Sequence, residues 1–289
     1  MKLNHLALGV LVAAIWGFNF IPIHYSLESF PPFTLVALRF LVAGLPVFFM
    51  PRPPLPLKRL FLIALPLFLG QYLLMFTGMK AGMPPGLTSI TIQVQFVFTM
   101  LIGALMLGEK PGKRQIIGGA ISLSGLGFIA TTIGGDVTLI GLVLVTLAAA
   151  SWAWGNVMLR QSPQENILAF IVWMCAAAAP MALVCALVVD GPAVMINAIQ
   201  QADWPGWLSL GFISLISTLG GFGLWGFLLR HYPAGKVAPL ALLVPVFGGL
   251  SAHLAFGESF TPMRLAGMAM IMIGLAVTML RKPVRGLPD

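Results

Sequence analysis

"GEKPGKRQIIGGAISLSG" runs from Gly108 to Gly125, and "GESFTPMRLAGMAMIMIG" runs from Gly257 to Gly274. Laid over each other without a gap at a constant offset of 149, they share Gly108/Gly257, Glu109/Glu258, Gly118/Gly267, Ala120/Ala269 and Gly125/Gly274. The same offset, carried back, pairs Pro84 with Pro233 and Gly86 with Gly235. The chain is 289 residues long, so it says one thing twice about half its length apart. Glycine and alanine are common here, and the match takes its meaning from the rest of the chain.

Charged residues make up 8% of the chain, against about 25% in a soluble domain. Hydrophobic residues make up 59%. So few charges cannot cover a soluble surface of this size, and the composition is that of an integral membrane protein. The net charge of +8 does not point to nucleic acid, because the 16 Lys and Arg sit almost entirely in short gaps between apolar runs. That distribution belongs to membrane orientation rather than to a phosphate-binding face. Cys175 and Cys185 lie inside one apolar run, about 15 Å apart by helical rise, too far for a disulfide. They read as small buried hydrophobes. No cleavable signal peptide is evident, since the first apolar run is long enough to span.

A helix needs about 20 apolar residues to cross a bilayer. Ten such runs are present, at 6–27, 33–50, 60–79, 85–108, 115–133, 139–159, 167–189, 206–229, 236–256 and 264–281. The fold class is therefore all-α and polytopic. The longest gap, 190–205, leaves no room for a soluble domain. With a cytoplasmic N-terminus the inside gaps hold Lys2, Arg52, Lys58, Arg59, Lys110, Lys113, Arg114, Arg160, Arg230, Lys236, Arg281, Lys282 and Arg285. The outside gaps hold Lys80 and Arg264, and Arg39 lies within a span. This bias places both termini in the cytoplasm.

Ten helices and an offset near half the chain give five per half, residues 1–133 and 139–282. Five is odd, so the second half inserts upside down relative to the first. The loop carrying Glu109 then lies inside and the loop carrying Glu258 outside. Inverted repeats related by an axis in the membrane plane are a transporter architecture, and they give alternating access a simple basis.

Intramembrane carboxylates are the usual proton relays. Here Glu28, Glu109, Asp136, Glu165, Asp190, Asp203, Glu258 and Asp289 all fall in loops, at helix ends or in a tail. Glu109 and Glu258 are expected to cap or tether helix ends at the repeat seams. Arg39 is the one permanent charge inside a span, where it costs at least about 2.5 kcal/mol and should face the bundle interior. It either bonds backbone carbonyls of a neighbouring helix or attracts a substrate carboxylate. His24 and His253 lie in or near spans and are the fallback for proton coupling.

On the fourth span Thr88, Thr91, Gln95 and Thr99 share one helical face, which should line a cavity or bind a neighbour. Their repeat mates are not polar, and that copy carries Pro239 and Pro245 instead. On the eighth span Ser214, Thr218, Gly221 and Trp225 form a second stripe. The first span of each half carries a Trp–Asn pair, Trp16 with Asn19 and Trp152 with Asn156, each on one face. Such a pair either packs or walls a cavity, with Trp attracting an ammonium and Asn bonding a carboxylate or amine. Tyr72, Gln71, Trp154 and Trp173 are further candidates. A cavity of this kind is aromatic, rich in amides and hydroxyls, and poor in fixed charge. It suits a zwitterion or a small neutral amphiphile. A dicarboxylate or a phosphorylated sugar suits it poorly.

An ordered set of stretches resembles the EamA-type exporters of the drug/metabolite transporter superfamily. They are "AAIWGFNF" (13–20), "PPFTLVALRF" (31–40), "AGMPPGLTSI" (81–90), "LGEKPGKRQIIG" (107–118), "LAAASWAWGN" (147–156), "KVAPLALLVPV" (236–246) and "FGESFTPMRLAG" (256–267). The resemblance covers nearly the whole chain and is closest to exporters of cysteine-pathway metabolites and other amino acids. It implies ten helices in an inverted five-plus-five repeat, a bacterial inner membrane and a central substrate cavity.

Other classes find little support. There is no metal-ligand spacing, no His/Asp pair at one depth, no P-loop and no filter loop, so neither an enzyme nor a channel is expected, and no cofactor. A membrane interaction protein that moves no solute remains the other class. The expectation is a monomeric exporter of small zwitterions, without nucleic-acid partners, working by alternating access and facilitative. The alternative is a proton-coupled exporter of lipophilic cations, which normally needs a membrane carboxylate. Trp16, Asn19, Arg39, Tyr72, Thr91, Gln95, Trp152, Asn156 and Trp225 are the expected substrate contacts.

Overall fold

The computed structural model describes residues 1–134, 136–161 and 166–279. Glu165, Asp289 and the basic trio Arg281, Lys282 and Arg285 lie outside the described residues.

Among the described residues nine helices are long and apolar enough to cross a membrane. They are α1 (Leu3–Ser29), α2 (Pro32–Phe49), α3 (Leu57–Lys80), α4 (Pro85–Leu107), α6 (Leu139–Arg160), α7 (Ile167–Val189), α9 (Trp204–His231), α10 (Ala238–Phe256) and α11 (Pro262–Met279). The remaining expected span is α5 (Lys113–Ala130), a helix of 18 residues. It is less apolar than the others because its first turn is Lys113-Arg114-Gln115 and four glycines follow. A helix that the sequence reading missed, α8 (Pro192–Gln201), fills the gap between α7 and α9. The outside of the bundle is apolar: Phe48, Phe49 and Leu105 are each at least 85% exposed, as a lipid-facing belt requires.

The offset of 149 is written into the backbone as well as the sequence. Gly108 and Gly257 both end their helices in the left-handed region, at φ 67° and 64°, where glycine pays no Cβ penalty. The third helix of each half contains a π-helical stretch, Leu65–Gly70 in α3 and Phe212–Gly220 in α9. The fourth helix of each half contains a 3₁₀ stretch, Ile92–Val94 in α4 and Ala238–Leu242 at the start of α10. Proline explains part of this. Pro66 and Pro239 have no N–H for the α-helical ladder, and the Ser151 hydroxyl donates to the Pro66 carbonyl at 2.8 Å. Pro22 acts likewise in α1, which breaks at Asn19 between Phe18 and Phe20.

The quoted stretches cross each other. A Cβ on Gly125 would lie 2.6 Å from the Gly267 carbonyl, and one on Gly267 would lie 2.7 Å from the Gly125 carbonyl. Gly118 meets Gly274 in the same way. Each glycine thus faces the mate of the other, so α5 and α11 run antiparallel. Midway, the Ser122 hydroxyl donates to the Ile271 carbonyl at 3.1 Å, and these two residues are 149 apart. A residue touching its own mate marks a pseudo-twofold axis. Only glycine allows the backbones this close, as in small-residue helix pairs of membranes generally.

Gly125→Leu should therefore force the two helices apart and cost about 1–3 kcal/mol or more. The expected outcome is a clear fall in the thermal midpoint of the detergent-purified protein. Gly127→Leu, on the same helix but with nothing within 4 Å of its Cβ, should leave the midpoint near that of the parent.

Candidate functional site

The interrupted helices meet in the middle of the bundle around a chamber of about 190 Å³. Its polar lining comes from α1 (Asn19), α2 (Arg39), α3 (Gln71, Tyr72), α4 (Gln93, Gln95) and α9 (Ser217). A larger chamber of about 500 Å³ shares Trp16, Gln95, Trp152 and Phe222 with it, and adds Asn156 and Trp225. Leu159, Ile167 and Leu229 line this second chamber, and they sit beside the ends of α6, α7 and α9. The path therefore leads towards the face that carries Glu109 and Arg160.

Arg39 is 1% exposed. One Nη atom donates to the Thr218 hydroxyl at 3.0 Å, and the guanidinium lies 3.9 Å from the centroid of the Tyr72 ring. It therefore does not follow the simpler expectation of bonding neighbouring backbone carbonyls. Its Nε and other Nη atom have no hydrogen-bond partner among the described residues. Asn19 Oδ1 and Gln71 Oε1, in the same chamber, likewise have none. A buried polar atom without a partner costs about 1–3 kcal/mol. Two charged donors and two amide acceptors of this chamber's lining residues are thus buried without a hydrogen-bond partner among the described residues. Among the described residues no acidic residue lines either chamber.

The π-helical stretch of α9 holds Arg39 and Trp16 in place. Thr218 donates its hydroxyl to the Ile213 carbonyl at 2.7 Å and accepts from Arg39. The Trp16 indole donates to the Ser217 carbonyl at 3.1 Å. Gly221 has no side chain where the Trp16 ring lies, and Trp225 packs on that ring with centroids 5.3 Å apart. Interrupted helices of this kind recur at functional sites because they free carbonyls for such contacts.

Eight of the nine expected contacts line the two chambers: Trp16, Asn19, Arg39, Tyr72, Gln95, Trp152, Asn156 and Trp225. Thr91 lines neither and is fully buried. The stripe it belonged to fails for a geometric reason. The 3₁₀ turn at Ile92–Val94 rotates α4, so Gln93 faces the chamber beside Gln95. Thr88 and Thr99 donate back to carbonyls of their own chain, Pro84 at 2.8 Å and Gln95 at 2.7 Å. Gln93 and Ser217 were missed. The signal was a second glutamine two residues from Gln95, which cannot share a regular helical face with it. Among the lesser candidates Gln71 lines the chamber, Trp154 is 53% exposed on the outside, and the Trp173 indole donates to the Met50 carbonyl at 3.3 Å. His24 lies 3.7 Å from Glu28, and His253 Nδ1 contacts the Glu258 carbonyl at 2.9 Å. Neither histidine lines a chamber.

The face opposite the larger chamber is tied shut by polar contacts between helix ends. Lys80 donates to the Leu27 carbonyl at 2.6 Å, Thr34 to Asp190 at 2.7 Å and Ser29 to Asp203 at 2.7 Å. Arg264 forms a bidentate pair with Asp136, whose carboxyl is thereby held below its ordinary pKa. Glu258 accepts from the amides of Gly86 at 2.9 Å and Leu87 at 3.3 Å, the first turn of α4. Burial pushes its carboxyl above its ordinary pKa, against the lowering by those two amides. Glu258 thus caps a helix end at the seam, as its place in the repeat suggested. Glu109, on the other face, pairs with Arg160 at 3.1 Å.

Thr218→Val should remove the side-chain acceptor of Arg39 and lower stability by about 1–3 kcal/mol, read as a lower thermal midpoint. Thr91→Val, which removes a buried hydroxyl that has no partner, should be neutral or stabilising.

The family model described as EamA-like transporter family matches residues 4–131 and 139–280. A Salmonella typhimurium protein named probable amino-acid metabolite efflux pump is 36% identical over 96% of this chain and 95% of its own length. Its Escherichia coli K12 namesake is 35% identical over 93% of each chain. A probable terminal-alkyne amino-acid exporter of Streptantibioticus cattleyicolor is 27% identical over 73% of this chain and 69% of its own. A solved crystal structure superposes with a TM-score of 0.64 at 18% identity, covering 96% of this chain and 98% of that one, a likeness of fold.

Proposed function

The chain belongs to the EamA-like transporter family, and from that premise we propose that it exports small zwitterionic amino acids and related metabolites. It is a multi-pass membrane transporter. In our reading it works as a monomer in a bacterial inner membrane with both termini cytoplasmic. Its two halves, 1–133 and 139–282, are inverted and rock about the crossing of α5 and α11.

One observation carries the substrate class. The lining of one chamber brings together the Nε and one Nη of Arg39 and the side-chain oxygens of Asn19 and Gln71, all without a partner among the described residues. The guanidinium fork suits a carboxylate, and amide oxygens suit an ammonium. The Trp16, Trp152 and Trp225 wall takes the side chain. The names of the relatives favour the same class. A cation exporter fits poorly, because among the described residues the charge lining the chambers is positive and no carboxylate balances it.

The orientation rests on charge. Lys2, Arg52, Lys58, Arg59, Lys110, Lys113, Arg114, Arg160, Arg230 and Lys236 lie on the face towards which the larger chamber leads, and Lys80 and Arg264 on the other. By the positive-inside bias the chamber is then open to the cytoplasm, ready to load. Among the described residues its wall holds no carboxylate and no histidine to carry a coupled proton, which supports our reading that transport runs down the substrate gradient.

The test is uptake of labelled O-acetylserine, cysteine, threonine and methionine into liposomes holding the purified chain. The expected flux levels off at equilibrium and does not change with a pH gradient. Arg39→Gln should abolish it, while Asn19→Ala and Gln71→Ala should each raise KM about tenfold, the equivalent of about 1.4 kcal/mol. Amines lacking the carboxylate should not be carried. Flux of cationic dyes in place of amino acids would overturn the reading.

A further inference from the structure

The two seam carboxylates occupy equivalent places in the repeat but are engaged differently. Glu258 follows Gly257 and holds the amides of Gly86 and Leu87, which open α4. Applying the offset of 149 to each partner gives Glu109, Gly235 and Lys236. Gly235 and Lys236 lie in the short helix Ala234–Val237 that leads into α10. At the Lys236 amide the equivalent contact is not made. Glu109 pairs with Arg160 instead, both side chains nearly half exposed, and the Lys236 amide donates to the Pro233 carbonyl at 2.8 Å. The made contact is on the closed face, and the unmade one is on the face towards which the larger chamber leads.

We infer that Glu258 and Glu109 are reciprocal gate latches. Glu258 holds the N-terminus of α4 when the cavity faces one side, and Glu109 leaves Arg160 to hold the N-terminal amides of the α10 segment when it faces the other. The inference rests on the alternating-access reading above. The pseudo-twofold axis marked by Ser122 and Ile271 requires that what one half does on one face, the other half can do on the opposite face. Arg160 has no permanently charged counterpart at the Glu258 seam: the register of the Trp–Asn pairs, 136 to 137, puts its mate at Ile23 or His24, and His24 lies beside Glu28 at 3.7 Å rather than on Glu258. Arg160 is therefore a competitor that keeps Glu109 off the second latch and biases the protein towards the state described here. An ion pair this exposed is weak, so the competition is easily reversed, whereas a carboxylate accepting two buried amides is the stronger contact.

The two partners of one ion pair then make opposite predictions. The reporter is Ser217→Cys in a Cys175→Ala, Cys185→Ala background of the full chain, labelled by a membrane-impermeant methanethiosulfonate. Right-side-out and inside-out vesicles give the ratio of labelling from the Glu258 face to labelling from the Glu109 face. Glu258→Gln, which cannot accept from both amides, should raise that ratio about tenfold. Arg160→Gln should raise it about two- to fivefold. Glu109→Gln should lower it, although it breaks the same ion pair as Arg160→Gln. If Glu109→Gln and Arg160→Gln move the ratio in the same direction, the pair is merely structural and the latch is overturned. Both of these residues are partly exposed, so this arm stands even if Glu258→Gln fails to fold. Labelling needs no substrate. Shifts in the ratio without amino-acid flux would uphold the latches and sink the substrate reading. Amino-acid flux in the parent with no shift in any variant would do the reverse.

Discussion

Inside a bilayer every backbone amide and carbonyl must find a partner within the protein, because each one left open costs several kcal/mol. That constraint organises this molecule. Helices may be interrupted at membrane depth only where neighbours repair the break or a cavity meets it. The interruptions here are the Asn19 break in α1, the π stretches of α3 and α9, and the 3₁₀ turns of α4 and α10. They converge on one chamber. The repairs are specific: Ser151 serves the Pro66 carbonyl, Trp16 the Ser217 carbonyl and Thr218 the Ile213 carbonyl. The residues that mend the backbone are thus largely the residues that shape the site.

The all-helical, membrane-spanning fold class was legible because burial in lipid leaves coarse marks. Apolar runs of spanning length, basic residues gathered in alternate gaps and glycines at a fixed offset each follow from a strong energetic term. The glycines said more than that the halves are alike. Gly118, Gly125, Gly267 and Gly274 are where the halves touch, because that crossing has no room for a Cβ. The Trp–Asn pairs were legible for a related reason. Trp152 and Asn156 sit in an unbroken helix, and Trp16 reaches Asn19 over the last helical turn before the break, so the period of 3.6 placed each pair on one face.

Where helices are interrupted, that period fails, and the sequence reading failed with it. Thr91 precedes the 3₁₀ turn of α4 and Gln95 follows it, so a stripe drawn through both assumed a straight helix that does not exist. Gln93 lies inside the turn and was passed over. No proline marks this break. Its second copy is announced by Pro239, and the repeat could have carried that warning back to α4. The amphipathic α8 was hidden for a different reason: a ten-residue helix lying in a loop is too short to leave a spanning signal.

The halves are alike in backbone and unlike in chemistry. Asn19, Arg39, Gln71, Tyr72, Gln93 and Gln95, nearly all of the polar lining of the smaller chamber, come from the first half. The second half contributes mainly apolar wall, backbone carbonyls and the Thr218 hydroxyl. Gln95 and its mate Val244 line the same chamber. Tyr72, which carries the Arg39 guanidinium, corresponds to Gly221, which makes space for Trp16. Symmetry in the backbone is what the proposed alternation between two conformations of near-equal energy would call for. Recognition has the opposite requirement. A site on a pseudo-twofold axis that duplicated Arg39 would place two cations together and favour a dianion. One guanidinium with amides around it, rather than a second charge, is the arrangement that the proposed zwitterionic substrate, charged differently at its two ends, would call for.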